Sequence, residues 1–152
     1  MLQHLLTGPD TSSAWMRVPR TLYPDRQRPV GYRPGGGHLQ PSQPHIGGRV
    51  AFITDGRAIS YAESVMGYVE GYQLGAIVGQ PTAGTNGNVN PFTLPGGFTV
   101  VWTGMQVLKH DGSQHHLIGV QPTVPAVRTL QGVRAGRDEL LEVALEVVRG
   151  QR

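Results

Sequence analysis

The run Val50-Ala-Phe-Ile53 constrains the fold more than any other stretch of the chain. Consecutive apolar residues ending in a β-branched one predict a short strand covered on both faces, as in a parallel sheet. Residues 60–72 follow with Ala62, Val65, Met66 and Val69 at helical spacing and Glu63 and Glu70 off that stripe. Gly71 and Gly75 stop the helix, and Ala76-Ile-Val78 is a second buried strand. Strand, helix and strand within about thirty residues is a βαβ unit, so an α/β fold is expected.

Other segments arrange themselves around this unit. Residues 79–88 are too rich in turn formers to be anything but a loop. Phe92-Thr-Leu94 and Phe98 to Thr103, joined through Pro95-Gly96-Gly97, predict a β-hairpin. Met105 to Lys109 adds a further strand before a turn at Asp111-Gly112, and Pro122 and Pro125 keep the next stretch out of a central strand. A terminal helix over 137–149 starts at Asp138 and Glu139 and stops at Gly150, with Leu141, Ala144, Leu145 and Val148 as its apolar stripe. Met1 to Leu6 forms a turn or two of helix. Residues 7–48 hold seven of the 12 prolines and show no sustained period, which predicts an irregular arm. The division is an arm over 1–47 and a folded body over 48–150.

Composition narrows the chemistry. The chain has no cysteine, so disulfides, thiolate zinc sites and a cysteine nucleophile are excluded. No apolar run is long enough to span a bilayer as a helix. Residues 1–49 carry six Arg against Asp10 and Asp25, whereas residues 50–152 carry seven basic and eight acidic groups. The basic excess, Arg17, Arg20, Arg26, Arg28 and Arg33, is spread through the Pro-rich arm with only Tyr23 and Tyr32 to stack on bases. A solvated loop accounts for it, and no nucleic-acid partner is expected.

Ser60 stands where the strand-to-helix connection ends. A hydroxyl there faces the amides and positive dipole end of the helix, which favour developing negative charge and suit a nucleophile for acyl transfer. Ser60 and Glu63 also have the spacing of a capping box, in which both side chains satisfy first-turn amides. Spacing alone leaves both open and favours the cap.

The segments Gly48-Arg-Val-Ala-Phe-Ile-Thr-Asp55, Ile59-Ser-Tyr-Ala-Glu-Ser64, Gly79-Gln-Pro-Thr-Ala-Gly84, Gly119-Val-Gln-Pro122 and Gly136-Arg-Asp-Glu-Leu-Leu-Glu-Val-Ala144 occur in this order. As a series they resemble the tail-specific (C-terminal-processing) and tricorn-type serine peptidase family, in the C-terminal part of its catalytic domain. The resemblance implies a ClpP/crotonase-like α/β spiral, represented by its C-terminal portion, with a short hairpin and a terminal helix. It implies that Ser60 is the nucleophile, that the Tyr61 backbone N–H helps form the oxyanion hole, and that Thr82, Ala83 and Gly84 line the substrate groove. Peptide or polypeptide substrates, amide hydrolysis without cofactor or metal, and a periplasmic or secreted location also follow from it, and a homo-oligomer is compatible with it.

The chain departs from the family pattern at its base. One branch places a lysine after the Pro-Thr motif, where this chain has Thr85, and the only lysine, Lys109, falls in a predicted strand. The other branch uses a histidine from well upstream, supported by a glutamate just before the position of Gly119-Val120, where this chain has His115-His116-Leu-Ile. A glycine-rich strand end normally supplies the second oxyanion donor. Tyr32-Arg-Pro-Gly-Gly-Gly37 does not match it, because no apolar strand leads in. The expectation is therefore a C-terminal part of a larger peptidase that needs an upstream half as partner. His38, His45, His110, His115 and His116 are the local candidates for a base. Adjacent histidines on a strand point to opposite faces and no carboxylate completes a ligand spacing, so no metal is expected. Two rivals share the scaffold: a non-catalytic peptide-binding or assembly module, and a crotonase-like acyl-CoA enzyme whose turnover survives Ser60→Ala.

Overall fold

The computed structural model describes residues 1–8, 11–12, 15–20 and 30–151. Asp10, Tyr23, Asp25, Arg26 and Arg28 lie outside the described residues. The architecture is mixed α/β. Its elements in chain order are a 3-10 turn Leu2–Leu5, β1 Thr11–Ser12, β2 Met16–Arg20, β3 Gly31–Gly35, β4 His38–Leu39, β5 Ala51–Thr54, α1 Tyr61–Tyr72, β6 Ala76–Gly79, β7 Val89–Thr93, β8 Thr99–Thr103, β9 Gln106–Val107, β10 Val124–Pro125, α2 Leu130–Arg134 and α3 Glu139–Arg149.

The predicted βαβ unit is present. β5 and β6 run parallel with Phe52 opposite Ile77 and Thr54 opposite Gly79, and β10 adds in parallel on the far side of β6. Pro125 thus sits in an outer strand, where its missing N–H costs no central ladder bond. β5 departs from the expectation of cover on both faces: Phe52 and Thr54 are buried, whereas Ile53 is 43% exposed. It is the outer strand of three, paired on one side only, and Ile53 lies at the rim.

The arm is more ordered than its sequence predicts. β2 and β3 pair antiparallel, from Met16 opposite Gly35 to Arg20 opposite Gly31, and β9 pairs with the other side of β2. No period marks these strands because most of their side chains face solvent. What anchors the ribbon is Trp15, whose ring meets Tyr68 edge-on at 5.3 Å between centroids and His110 at 5.2 Å. The Tyr68 hydroxyl donates to the Gly37 carbonyl, and the Tyr72 hydroxyl accepts the Ser12 N–H. Trp15 and Met16 therefore share one apolar core with Leu2, Phe52, Met66, Val69, Ile77, Val107 and Val120.

α3 packs over β5 and β6 with a face rotated from the predicted one. Leu140 and Ala144 are buried, whereas Leu141 is 46% exposed and Leu145 is exposed too. The apolar arc of the helix runs from Val143 round to Leu145, with Glu139, Glu142, Glu146 and Arg149 on the opposite side, and it is wide enough to hold two stripes of correct spacing. The Asp138 cap, which accepts the Leu141 N–H, and Gly150 in the left-handed conformation at the other end bound the helix. α2, which carries no long apolar stripe, was not anticipated; Thr129 caps it by accepting the Gly132 N–H. The β7–β8 hairpin forms as predicted, in register from Val89 opposite Thr103 to Thr93 opposite Thr99, and every residue of both strands is exposed. No described helix is long and apolar enough to cross a membrane.

Candidate active site

The connection from β5 to α1 is built around Asp55. Its Oδ1 accepts the Arg57 N–H at 2.9 Å, its carbonyl accepts the Ala58 N–H, and the Arg57 guanidinium grips both carboxylate oxygens. The side-chain bonds from Arg57, then its backbone N–H, hold the Asp55 carboxyl below its ordinary value of 3.8. The turn delivers Ser60 to the head of α1 with φ 50° and ψ −114°. That is the first-position geometry of a type II′ turn, where glycine is the usual occupant.

Ser60 does not act as a cap. Its side chain makes no capping bond, and the residue is exposed. The capping-box expectation fails at Glu63 as well, because that side chain turns inward and is 1% exposed. A positive φ at Ser60 is incompatible with ordinary cap geometry, which uses the β region. The hydroxyl is left free beside the first amides of α1. The Ala62 N–H donates back to the Ile59 carbonyl at 3.1 Å, whereas the Tyr61 N–H ahead of it has no carbonyl one turn earlier to bond.

Holding a non-glycine residue there costs about 1–3 kcal/mol and persists only when its surroundings over-determine it. Ser60→Ala keeps the Cβ and so the strain, whereas Ser60→Gly relieves it. The glycine variant should be the more stable of the two by about 1–2 kcal/mol, after allowing for the larger unfolded-state entropy of glycine. Urea melts of the pair check this, and equal midpoints would mean that the turn is unstrained.

The restraint comes from the loop after β6. Glu63 Oε1 accepts the Thr82 hydroxyl and the Gly84 N–H, both at 2.6 Å, and Oε2 accepts the Thr85 N–H at 2.8 Å. Ala83 N–H donates to the Ala58 carbonyl at 3.1 Å. The turn from β5 into α1 is thus tied to one loop on both sides of Ser60, two residues before and three after. The loop is braced in turn by the 115–120 segment. Thr82 Oγ1 accepts the Val120 N–H, the Thr82 N–H donates to the Val120 carbonyl, and the Leu117 N–H donates to the Gly84 carbonyl.

Of the residues expected at the groove, Thr82 and Gly84 are buried and engaged in this clamp, while Ala83 is half-buried. Thr85, at the position of the missing lysine, contributes its amide to Glu63. Lys109 bonds Glu70 at 2.7 Å, which lies about 15 Å along α1 from Ser60. His38, His45, His110 and His116 are exposed, and none hydrogen-bonds Ser60 among the described residues. His115 is buried with Nε2 3.4 Å from Glu63 Oε1. The glycine-rich turn ending at Gly37 packs at Tyr68, about 12 Å along α1 from Ser60. Beside the first turns of α1 lies a recess of ≈ 380 Å³, lined by Leu2, Leu39, Tyr61, Val65 and Tyr68 among others. Glu63 and His115 as a buried pair escaped sequence reasoning, since their partners lie far along the chain. The one local hint was Glu63 standing three residues before Met66 and six before Val69.

Residues 9–126 match the family described as Peptidase family S41. The chain belongs to that peptidase family, which includes the tail-specific and tricorn-type enzymes. Among solved structures it is similar to a candidate peptidase from Parabacteroides merdae, with 17% identity, a TM-score of 0.76, and 97% of this chain and 45% of that one covered. It is also similar to the tricorn protease, with 19% identity and a TM-score of 0.66 over 87% of this chain and 12% of that one. The photosystem II D1 C-terminal processing protease matches at 16% identity and a TM-score of 0.58, over 82% and 29% respectively. The chain therefore spans less than half the length of each of these structures. No curated protein matches it.

Proposed function

We propose that residues 48–150 form the nucleophile-bearing part of a serine-type peptidase that hydrolyses peptide bonds, built on a ClpP/crotonase-like spiral. Ser60 Oγ attacks the scissile carbonyl, and the Tyr61 N–H donates to the oxyanion as it develops. The observation that carries this reading is the backbone of Ser60. Its φ of 50° and ψ of −114° leave an uncapped, exposed hydroxyl at the head of a helix. A capping serine needs no such conformation, whereas a nucleophile presented on a sharp strand-to-helix turn does. The apolar recess beside Tyr61 has room for one side chain of the substrate.

The general base and the second oxyanion donor come, on this proposal, from an upstream segment, in the same polypeptide or as a partner. No described histidine or lysine bonds Ser60, and base catalysis typically contributes about 10²–10⁴-fold. Restoring an upstream segment of the family type should therefore raise fluorophosphonate labelling of Ser60 by a factor of that order, and Ser60→Ala should abolish it. No labelling with that segment present would point instead to a peptide-binding module that keeps the scaffold without turnover.

A further inference from the structure

His115 is a buried titratable group that the proposed reaction leaves unused. Its side chain is 5% exposed, and Nε2 has no hydrogen-bond partner among the described residues. That nitrogen lies 3.4 Å from Glu63 Oε1, just beyond hydrogen-bonding reach. Glu63 is itself fully enclosed and collects three donors, the arrangement a carboxylate anion accepts. No lysine or arginine forms an ion pair with it among the described residues. An enclosed imidazole nitrogen without a partner is unfavourable, and one N–H···O contact to the enclosed carboxylate satisfies it while adding a further donor to Glu63. The closure needed is a few tenths of an ångström.

We propose that His115 is a positioning residue that donates from Nε2–H to Glu63 and completes the clamp between the 82–85 loop and the nucleophile turn. The consequence for Ser60 rests on reading it as the nucleophile. Glu63 is one of two tethers that keep the Ser60 backbone in its strained state. A carboxylate free to rotate releases the Gly84 and Thr85 amides, the turn relaxes, and the hydroxyl swings away from the Tyr61 N–H. His115 also braces the loop through its own main chain. Its carbonyl accepts the Ile118 and Gly119 N–H groups, and the same turn supplies the Leu117 bond to Gly84. Side chain and backbone of one residue thus fasten the same loop from two directions.

The test uses the chain with the upstream segment of the family type supplied, as wild type and two variants. His115→Phe keeps the ring volume and removes the N–H, while His115→Gln returns an amide N–H near the position of Nε2. His115→Phe is expected to slow fluorophosphonate labelling of Ser60 by about 10- to 100-fold, the scale of a small misplacement of a reacting group. kcat should fall while KM for a peptide stays within about twofold, since no substrate contact is touched. Hydrogen exchange at Gly84 and Thr85 should accelerate in the same variant, and His115→Gln should recover most of both losses. Labelling and exchange at wild-type rates in His115→Phe would overturn the proposal, and so would a glutamine variant as impaired as the phenylalanine one. Exchange that answers to His115 in a wild type that never labels overturns the role of Ser60 and keeps the clamp.

Discussion

Glu63→Ala should lose about 3–5 kcal/mol of folding stability, the sum expected from buried donors left unpaired and from the space the side chain vacates. The carboxylate accepts the Thr82 hydroxyl and two backbone amides while being 1% exposed. Each buried donor left without a partner costs about 1–3 kcal/mol. Thr82 retains a bond to Val120, and water can reach Thr85, which is exposed. The Gly84 amide has neither recourse, and the space left by the side chain adds to its loss. Glu63→Gln keeps the volume but turns an N–H toward a donor, so it should fall between wild type and alanine. Denaturant melts measure both. An alanine variant within about 1 kcal/mol of wild type would show that the loop holds without the carboxylate, and the account of Ser60's strain would fall with it.

Gly79→Ala should be at least as damaging, with a loss beyond about 3 kcal/mol or no folded protein. Gly79 ends β6 at φ +126°, and a Cβ there would stand 2.0 Å from the Thr54 carbonyl oxygen. No side chain can move aside, because the obstacle is the backbone of the paired strand. The same residue is held on both flanks. Gln80 N–H donates to that Thr54 oxygen, and the Gly79 carbonyl accepts the Ala126 N–H. The Cβ would pry β5 from β6 at the very end from which the turn carrying Ser60 departs. Gly48→Ala provides the control, since a Cβ there meets nothing within 4 Å and should change stability by less than about 0.5 kcal/mol. Soluble expression and thermal melts of the two variants decide the matter, and similar behaviour would contradict the packing described.

The parts of the fold that could be read in advance are those whose pattern is local. β5, α1 and β6 lie close to where the apolar runs and glycine stops place them, and the hairpin follows from Pro95-Gly96-Gly97 between two strand-like segments. The ribbon of β2 and β3 gave no such signal. Its side chains face mainly solvent, and what anchors it is Trp15 against the tyrosines of α1, a contact that no short window contains. The predicted stripe of α3 differs by one residue because the apolar arc opposite Glu139, Glu142, Glu146 and Arg149 is wider than a single stripe and holds both Leu140 and Leu141.

At the candidate site, the family was legible through the order of five motifs, which is what singles out Ser60, but the backbone state of that residue was not. Nothing in Ile59-Ser-Tyr announces a positive φ at a β-unbranched residue with a Cβ. Glu63 was misread for a related reason. Its partners lie 19 to 22 residues away and two of the three are backbone amides, which leave no mark on composition or spacing. A glutamate on the apolar side of a helix is a conflict between pattern and chemistry, and such conflicts are where a fold is bent toward a task.

The β7–β8 hairpin carries a consequence for solution behaviour. Residues 71–108 contain no Asp, Glu, Lys, Arg or His, and Phe92, Phe98, Val101 and Trp102 on the hairpin all face outward. A contact made by such a surface has no ionic component for added salt to screen. Sulfate or phosphate at high concentration would tighten it, because excluded anions favour burial of apolar area. Any contact that buries this ribbon would therefore be retained through a high-salt wash that strips contacts held by charge.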